Sequence, residues 1–365
     1  PFDPRKIKGF GSSVIDILVY NEVQVKGRRV FLDFTKNPSA GCRNGEMDFS
    51  KLGEESYNYL KNSNALFGTP IERLAKMNQP AIDLYKNNGI DLTREYLEIA
   101  VCAQHNNGGL MGGIWWESNL AHFFPVGEVN GTFGVYRPGG SALNSTQAGS
   151  LRAAQYIAAN YSEAPPGTDD FIHIVENQVS EKISMAKQLC SNKGVASNVM
   201  DVRTRLQRRM TMYGAHIRSL DGCTKAIKEC MEDFSGLLKN TVIESLYELP
   251  FAFSNRDLLI CQFVYLSAIK EYILKGGKSR GSYLIADNHG ELPVKGISED
   301  FRFSLDDGSM SDKVCETSLK IDGDKLSCTT AWKKVKPIPS GDDWFENVWN
   351  DYRNNRVYMN SPTSF

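Results

Sequence analysis

The residue types that could do chemistry crowd into residues 103–154 of the 365-residue chain. His105 stands in the polar turn His105-Asn106-Asn107-Gly108-Gly109, and Gly127-Glu128 follows Phe123-Phe124-Pro125-Val126. Gly139 and Gly140 then precede a small-residue stretch that ends in Asn144-Ser145-Thr146. Glycine removes the Cβ and exposes peptide N–H groups, so this spacing suits a backbone that closely approaches a large, flat, polar ligand. An acidic residue such as Glu128, set after a strand, can accept hydrogen bonds from ligand hydroxyls. A helix opening at Asn144-Ser145-Thr146 would offer unpaired N–H groups and the positive end of its dipole to negative charge. Among the five histidines, His105 is the best placed to handle a proton or bind an oxyanion. Arg137, between Tyr136 and Pro138, carries the planar fork that clamps a carboxylate. Each feature keeps a bland alternative: a turn glutamate facing solvent, a capped helix behind a glycine loop, a structural histidine, a surface arginine.

The elements that must position these residues are legible from periodicity. Residues 11–34 are rich in β-branched and aromatic types and read as strand–turn–strand. Residues 49–61 and 70–86 show helical spacing, the second closing at Asn87-Asn88-Gly89. The run 96–103 reads as a buried strand that delivers the chain into the His105 turn, with short strands expected at 110–116 and 123–126. Ser145 can N-cap a helix running to about Asn160. After a linker at 163–170, the segments 171–191, 198–219, 220–240 and 254–275 carry the 3.6-residue apolar pattern of an antiparallel helical bundle. Arg203, Arg205, Arg208, Arg209 and Arg218 make the second of them basic, which without interleaved aromatics reads as a solvated face with ion pairs. Ser279-Arg280-Gly281 closes the bundle, and Asp322-Gly323-Asp324 marks a hairpin between strands at 316–321 and 326–332, ahead of an aromatic tail at 344–358.

Composition narrows the class. Apolar residues make up 41% and charged residues 23%, with a net charge of −1, so there is no global footprint for nucleic acid. The eight cysteines are scattered without a C-x-x-C pair, which argues against a metal or iron–sulfur site in this chain and for reduced thiols in a cytoplasmic setting. No apolar run is long enough for a membrane span. The chain opens at Pro1 without a Met, as a fragment or a processed product would.

Taken in order, His105 to Gly109 (H-N-N-G-G), Phe123 to Glu128 (F-F-P-V-G-E) and Asn144-Ser145-Thr146 resemble the flavoprotein subunits of the succinate dehydrogenase, fumarate reductase and L-aspartate oxidase family. There the order is H-x-x-G-G, then (L/F)-(Y/F)-A-x-G-E, then a glycine-rich loop into N-S-L. The likeness extends outward. Val30-Phe31-Leu32-Asp33 looks like a capping-domain strand, residues 202–218 like a bundle helix, and Ser279-Arg280-Gly281 like the family's S-R-G.

The resemblance implies an FAD-dependent oxidoreductase that moves hydride between flavin and a small, carboxylated substrate, partnered by an iron–sulfur or electron-transfer subunit. It implies catalytic roles for His105 and Arg137. It implies flavin binding by Gly108, Gly109, Gly127, Glu128, Asn144, Ser145 and Thr146, with no metal held by this chain. The family's loop arginine falls near Gly140 when N-S-L is laid on Asn144-Ser145-Thr146, three residues from Arg137. No G-x-G-x-x-G element is present, so the N-terminal nucleotide-binding half is expected to be missing and the isolated chain inactive. The expected fold is α+β. Residues 1–100 would be a capping-domain remnant, 101–163 part of the FAD-binding α/β domain, 164–278 the helical bundle and 279–365 a small β-rich region. The alternatives are a flavoprotein subunit like that of adenylylsulfate reductase and a non-catalytic interaction module.

Overall fold

Residues 2–43, 45–103, 108–131, 133, 140–335 and 341–358 are described by a computed structural model, in which helix and strand are mixed and about 51% of the chain is helical. The N-terminal stretch departs from its β-rich composition. Helix α1 (Ser13–Tyr20) and a π-turn at Asn21–Val25 occupy the place of the expected first strand. Val14, Ile17, Tyr20 and Asn21 are buried while Ile15 and Leu18 are exposed, a three-to-four-residue repeat. Tertiary packing of that stripe outweighs the modest helix cost of β-branched side chains.

Residues 1–102 form one compact unit together with the returning segment Asn288–Phe303. Strand β1 (Val30–Leu32) is followed by the small pair β2 (Cys42–Arg43) and β3 (Glu46–Met47), helix α2 (Glu54–Asn62), helix α3 (Pro70–Asn87) and strand β4 (Leu97–Ile99). Strands β1 and β4 pair antiparallel, with Val30 opposite Ile99 and Leu32 opposite Leu97. Arg29 clamps Glu98 at 2.9 and 2.6 Å beside that pairing. Helix α3 opens on Thr69, whose N–H and hydroxyl both donate to Glu72 (2.7 and 2.8 Å). It kinks at Asn78, two residues before Pro80, because proline has no N–H to give and crowds the preceding turn.

The second unit comprises residues 103–287 and 304–365. Its helices are α4 (Ser141–Asn160), α5 (Thr168–Ser191), α6 (Val199–Tyr213), α7 (Leu220–Asn240), α8 (Leu249–Leu274) and α9 (Trp344–Arg353). The two-residue β5 (Ile217–Arg218) runs parallel to the start of β6 (Leu284–Glu291). The hairpin β7 (Lys313–Asp322) and β8 (Lys325–Lys334) is in the register Asp322 opposite Lys325, so Gly323-Asp324 is its two-residue turn. The basic helix ends at Tyr213 rather than near Ser219, and Arg218 instead lies in β5 with its guanidinium 4.0 Å from the Tyr283 ring centre.

Val202 and Leu206 of α6, Cys230, Phe234 and Leu237 of α7, Leu259 and Phe263 of α8, and Leu326 of β8 make one apolar core. Polar groups fix its register. Asn255 and Gln262, seven residues apart on α8, donate to the carbonyls of Val199 and Leu206, seven apart on α6, at 2.9 and 2.5 Å. Their oxygens accept from Arg203 (2.5 Å) and Arg209 (3.2 Å). Two satisfied amides at a heptad interval allow one alignment of the helices and penalise a slipped one.

Arg209 is therefore not on a solvated face. Its side chain is 3% exposed and pairs with Asp233 and, at 3.3 Å, with Glu229. Arg205 also reaches Asp233, at 3.0 Å. Asp233→Asn takes away the nearer of the two carboxylates that face the buried Arg209 guanidinium, leaving Glu229 at 3.3 Å, and is expected to cost about 3 kcal/mol. Arg209→Met removes the buried charge itself and leaves Asp233 with Arg205, so about 1–2 kcal/mol is expected. Urea unfolding midpoints of the two variants check the order.

Candidate functional site

The opening of α4 sets the geometry. Gly140 is left-handed (φ +79°) and precedes Ser141, the first helical residue, and no side chain caps the end. The helix thus begins three residues before Asn144, and Ser145 is not its cap. The Asn144 N–H already donates to the Gly140 carbonyl at 3.1 Å. Further along the helix the amides of Ser145 and Thr146 are taken up in the same i to i−4 ladder. The first-turn amides without an intrahelical partner are instead those of Ser141, Ala142 and Leu143, and no partner for them stands among the described residues. Ser141 adds a buried hydroxyl without a hydrogen-bond partner among the described residues. The signal for this earlier start is the Gly140-Ser141 step, where only glycine adopts the left-handed turn without strain.

Two other segments converge on that end. The Leu110 N–H donates to the Val129 carbonyl and the Gly131 N–H to the Leu110 carbonyl, both at 2.8 Å. Leu110 and Asn130 form a single bridge in place of the strands expected at 110–116 and 123–126. A Cβ on Gly109 would collide with the Val129 carbonyl, whereas one on Gly108 would meet nothing within 4 Å. Gly127 is left-handed (φ +88°), and the position its Cβ would take lies 3.7 Å from the Thr146 methyl. Gly108-Gly109, Gly127-Glu128 and the first turns of α4 are therefore neighbours. Glu128 and Asn144 are exposed, and Ser145 and Thr146 are half-buried. His105 and Arg137 lie outside the described residues.

These neighbouring segments bring together close backbone approach, first-turn peptide donors and one carboxylate, a combination that suits a ligand with hydroxyls and a negatively charged edge. Among the described residues no group of three His, Cys, Asp or Glu side chains could hold a metal ion. No helix among them is long and apolar enough to cross a membrane.

No protein-family model matches the chain. An uncharacterized FAD-dependent oxidoreductase of Methanocaldococcus jannaschii is 26% identical over 222 residues, which is 60% of this chain and 38% of that protein. A fumarate reductase (CoM/CoB) subunit of Methanothermobacter marburgensis is 40% identical over 73 residues, 20% of this chain and 13% of that protein. An E. coli quinol fumarate reductase FrdA variant superposes with a TM-score of 0.54 at 16% identity, covering 88% of this chain and 48% of that one. A quinol–fumarate reductase structure with menaquinol molecules gives 0.56 at 18% identity, covering 88% and 49%. Mycobacterium smegmatis Sdh1 gives 0.53 at 15% identity, covering 92% and 55%. The chain has the fold of fumarate reductase and succinate dehydrogenase flavoprotein subunits. It spans about half the length of those solved chains, and its alignments cover 38% and 13% of the sequence relatives.

Within this fumarate reductase-like fold, the far end of α4 is held by a brace that periodicity does not reveal. Glu117 is buried and accepts from the His122 N–H at 2.9 Å and from the Tyr161 hydroxyl. The His122 and Tyr161 rings lie 4.2 Å apart. Trp116 (φ +66°) lays its indole where a Cβ on Gly149 would collide, so α4 is located at its middle as well. Burial, then the Glu117 carboxylate, push the Tyr161 phenol up to about 12 from 10. A raised phenol stabilises the fold fully below the unfolded value and loses that contribution as pH rises towards the folded value. Tyr161→Phe is expected to lower stability at pH 8 by about 1–3 kcal/mol, since Glu117 loses a donor. The deficit should shrink between pH 10 and 12, as measured by the pH dependence of the thermal midpoint.

Proposed function

We propose that this chain supplies the substrate- and flavin-facing C-terminal part of an FAD-dependent oxidoreductase of the fumarate reductase type, acting on a small carboxylated molecule. The observation that carries the reading is the meeting of Gly127-Glu128 with the uncapped start of α4, in the chain order that the family uses. These residues fit the cofactor: among the described residues the buried Ser141 hydroxyl and the first-turn amides have no partners, and the glycines leave room for close approach. Bound FAD would supply hydride transfer. Ser141, Ala142 and Leu143 would direct N–H groups at negative charge on its ring, and Glu128 would accept from its hydroxyls. Gly108, Gly109, Gly127, Asn144, Ser145 and Thr146 would line the same cradle, the last two through side chains and shape rather than through free amides.

With N-S-L laid on Asn144-Ser145-Thr146 the family's loop arginine falls near Gly140, and Arg137, three residues away, is the arginine offered in its place by a reshaped loop. Arg137 would then clamp a substrate carboxylate, and His105 would polarise a substrate oxygen or bind its charge. An iron–sulfur or electron-transfer subunit is the partner this chemistry calls for, and the eight free cysteines support a reducing, cytoplasmic setting.

In the FAD-loaded protein that contains this chain, Arg137→Met is expected to lower kcat/KM for fumarate or succinate by about a hundredfold while the flavin spectrum is unchanged. Glu128→Gln is expected to weaken FAD retention on gel filtration. Wild-type kinetics in the first variant and full flavin content in the second would together overturn the assignment.

A further inference from the structure

Helix α9 leans its aromatic ladder over the side of α4 and leaves a cleft of about 350 Å³. The lining includes Trp115, Arg152, Trp344, Val348, Trp349 and Tyr358. Along α9, Phe345 stacks on Trp349 and Trp349 on Tyr352, with near-parallel planes (4° and 21°) and centroids 6.4 and 5.8 Å apart. Across the cleft, Trp115 stacks on Tyr156 at 5.6 Å. Gln155 ties the two sides together, donating to the Tyr352 hydroxyl (3.0 Å) and accepting from that of Tyr358 (2.9 Å).

One cation sits in this apolar setting. The Arg152 guanidinium lies 4.3 Å from the Trp115 ring centre, and its Nε donates to the Ile114 carbonyl at 3.3 Å. No carboxylate pairs with it among the described residues. Trp115 is 6% exposed, and its indole N–H has no partner there either. Burial lowers the Arg152 pKa and outweighs the opposing pull of the nearby Tyr358 hydroxyl, as expected of a charge held against rings with no carboxylate opposite it among the described residues.

We propose that this cleft binds a planar aromatic carboxylate, its ring against the exposed aromatic ladder of α9 and its carboxylate paired with Arg152. The volume falls at the lower end of the roughly 300–1,000 Å³ typical of small-molecule sites, and the lining has their composition: mostly aromatic, with a few polar groups to fix orientation. A neutral aromatic would fill the cleft yet leave the guanidinium unpaired. A phosphate would bring a second negative charge that one arginine does not balance. A single carboxylate matches both the charge and the planar fork.

The test titrates the chain with naphthalene-2-carboxylate and, separately, with naphthalene-2-carboxamide, following tryptophan fluorescence and heat. The acid is expected to saturate and to bind at least about tenfold more tightly than the amide. Arg152→Met should bring the acid down to the level of the amide, with an unchanged circular dichroism spectrum. Val348→Trp fills the cleft with Arg152 intact and should abolish binding of both. Equal affinity for acid and amide, an unaffected Arg152→Met, or no saturation by the acid overturns the proposal.

Discussion

The second unit depends on glycines at places where a side chain would collide or where the backbone is left-handed. Gly109 lies against the Val129 carbonyl, Gly127 within reach of the Thr146 methyl, and Gly149 against the Trp116 indole. The first contact joins the two loop segments to each other, and the other two seat them on α4. The donors of the first turn find no partner among the described residues. Leaving them uncapped costs stability that a capped helix would retain, and the loss is tolerated where a ligand can offset it.

That constraint explains which parts are legible in the sequence. The bundle helices α5 to α8 and the hairpin at Gly323-Asp324 follow from apolar periodicity and turn chemistry, because they bury one face against one core. Helix α1 reads as a strand because Val, Ile and Tyr favour strands locally, while the spacing of Val14, Ile17 and Tyr20 serves a helical face. The start of α4 is easily placed too late because Asn144 and Ser145 are better cap residues than Gly140. The left-handed turn at Gly140 decides the matter, and composition does not report backbone dihedrals. Strands at 110–116 and 123–126 reduce to one bridge because hydrogen bonds from Gly113, Trp116, Ser118 and Phe123 close local turns instead of a ladder.

The polar interior is less legible for a related reason. Arg209 among five arginines looks like surface, and its burial depends on Asp233, Glu229 and Gln262, which come from two other helices. Glu117 looks like an ordinary loop acid until Tyr161 and the His122 amide are seen to meet it. Such groups acquire their roles from partners distant in sequence, and single-chain periodicity carries no information on pairing.

Helix α4 makes these separate observations one mechanical statement. At 20 residues it is a rod of roughly 30 Å. Its first turn presents the unpaired amides, its middle is seated on Trp116 at Gly149, its flank carries Arg152 and Gln155, and its end is tied through Tyr161 to Glu117. A rod does not bend to suit each contact separately. The position of the N-terminal donors is therefore set by packing at the middle and far end of the helix. The buried Glu117 and the strained Trp116 backbone belong to the positioning of the site even though neither lies beside the unpaired amides.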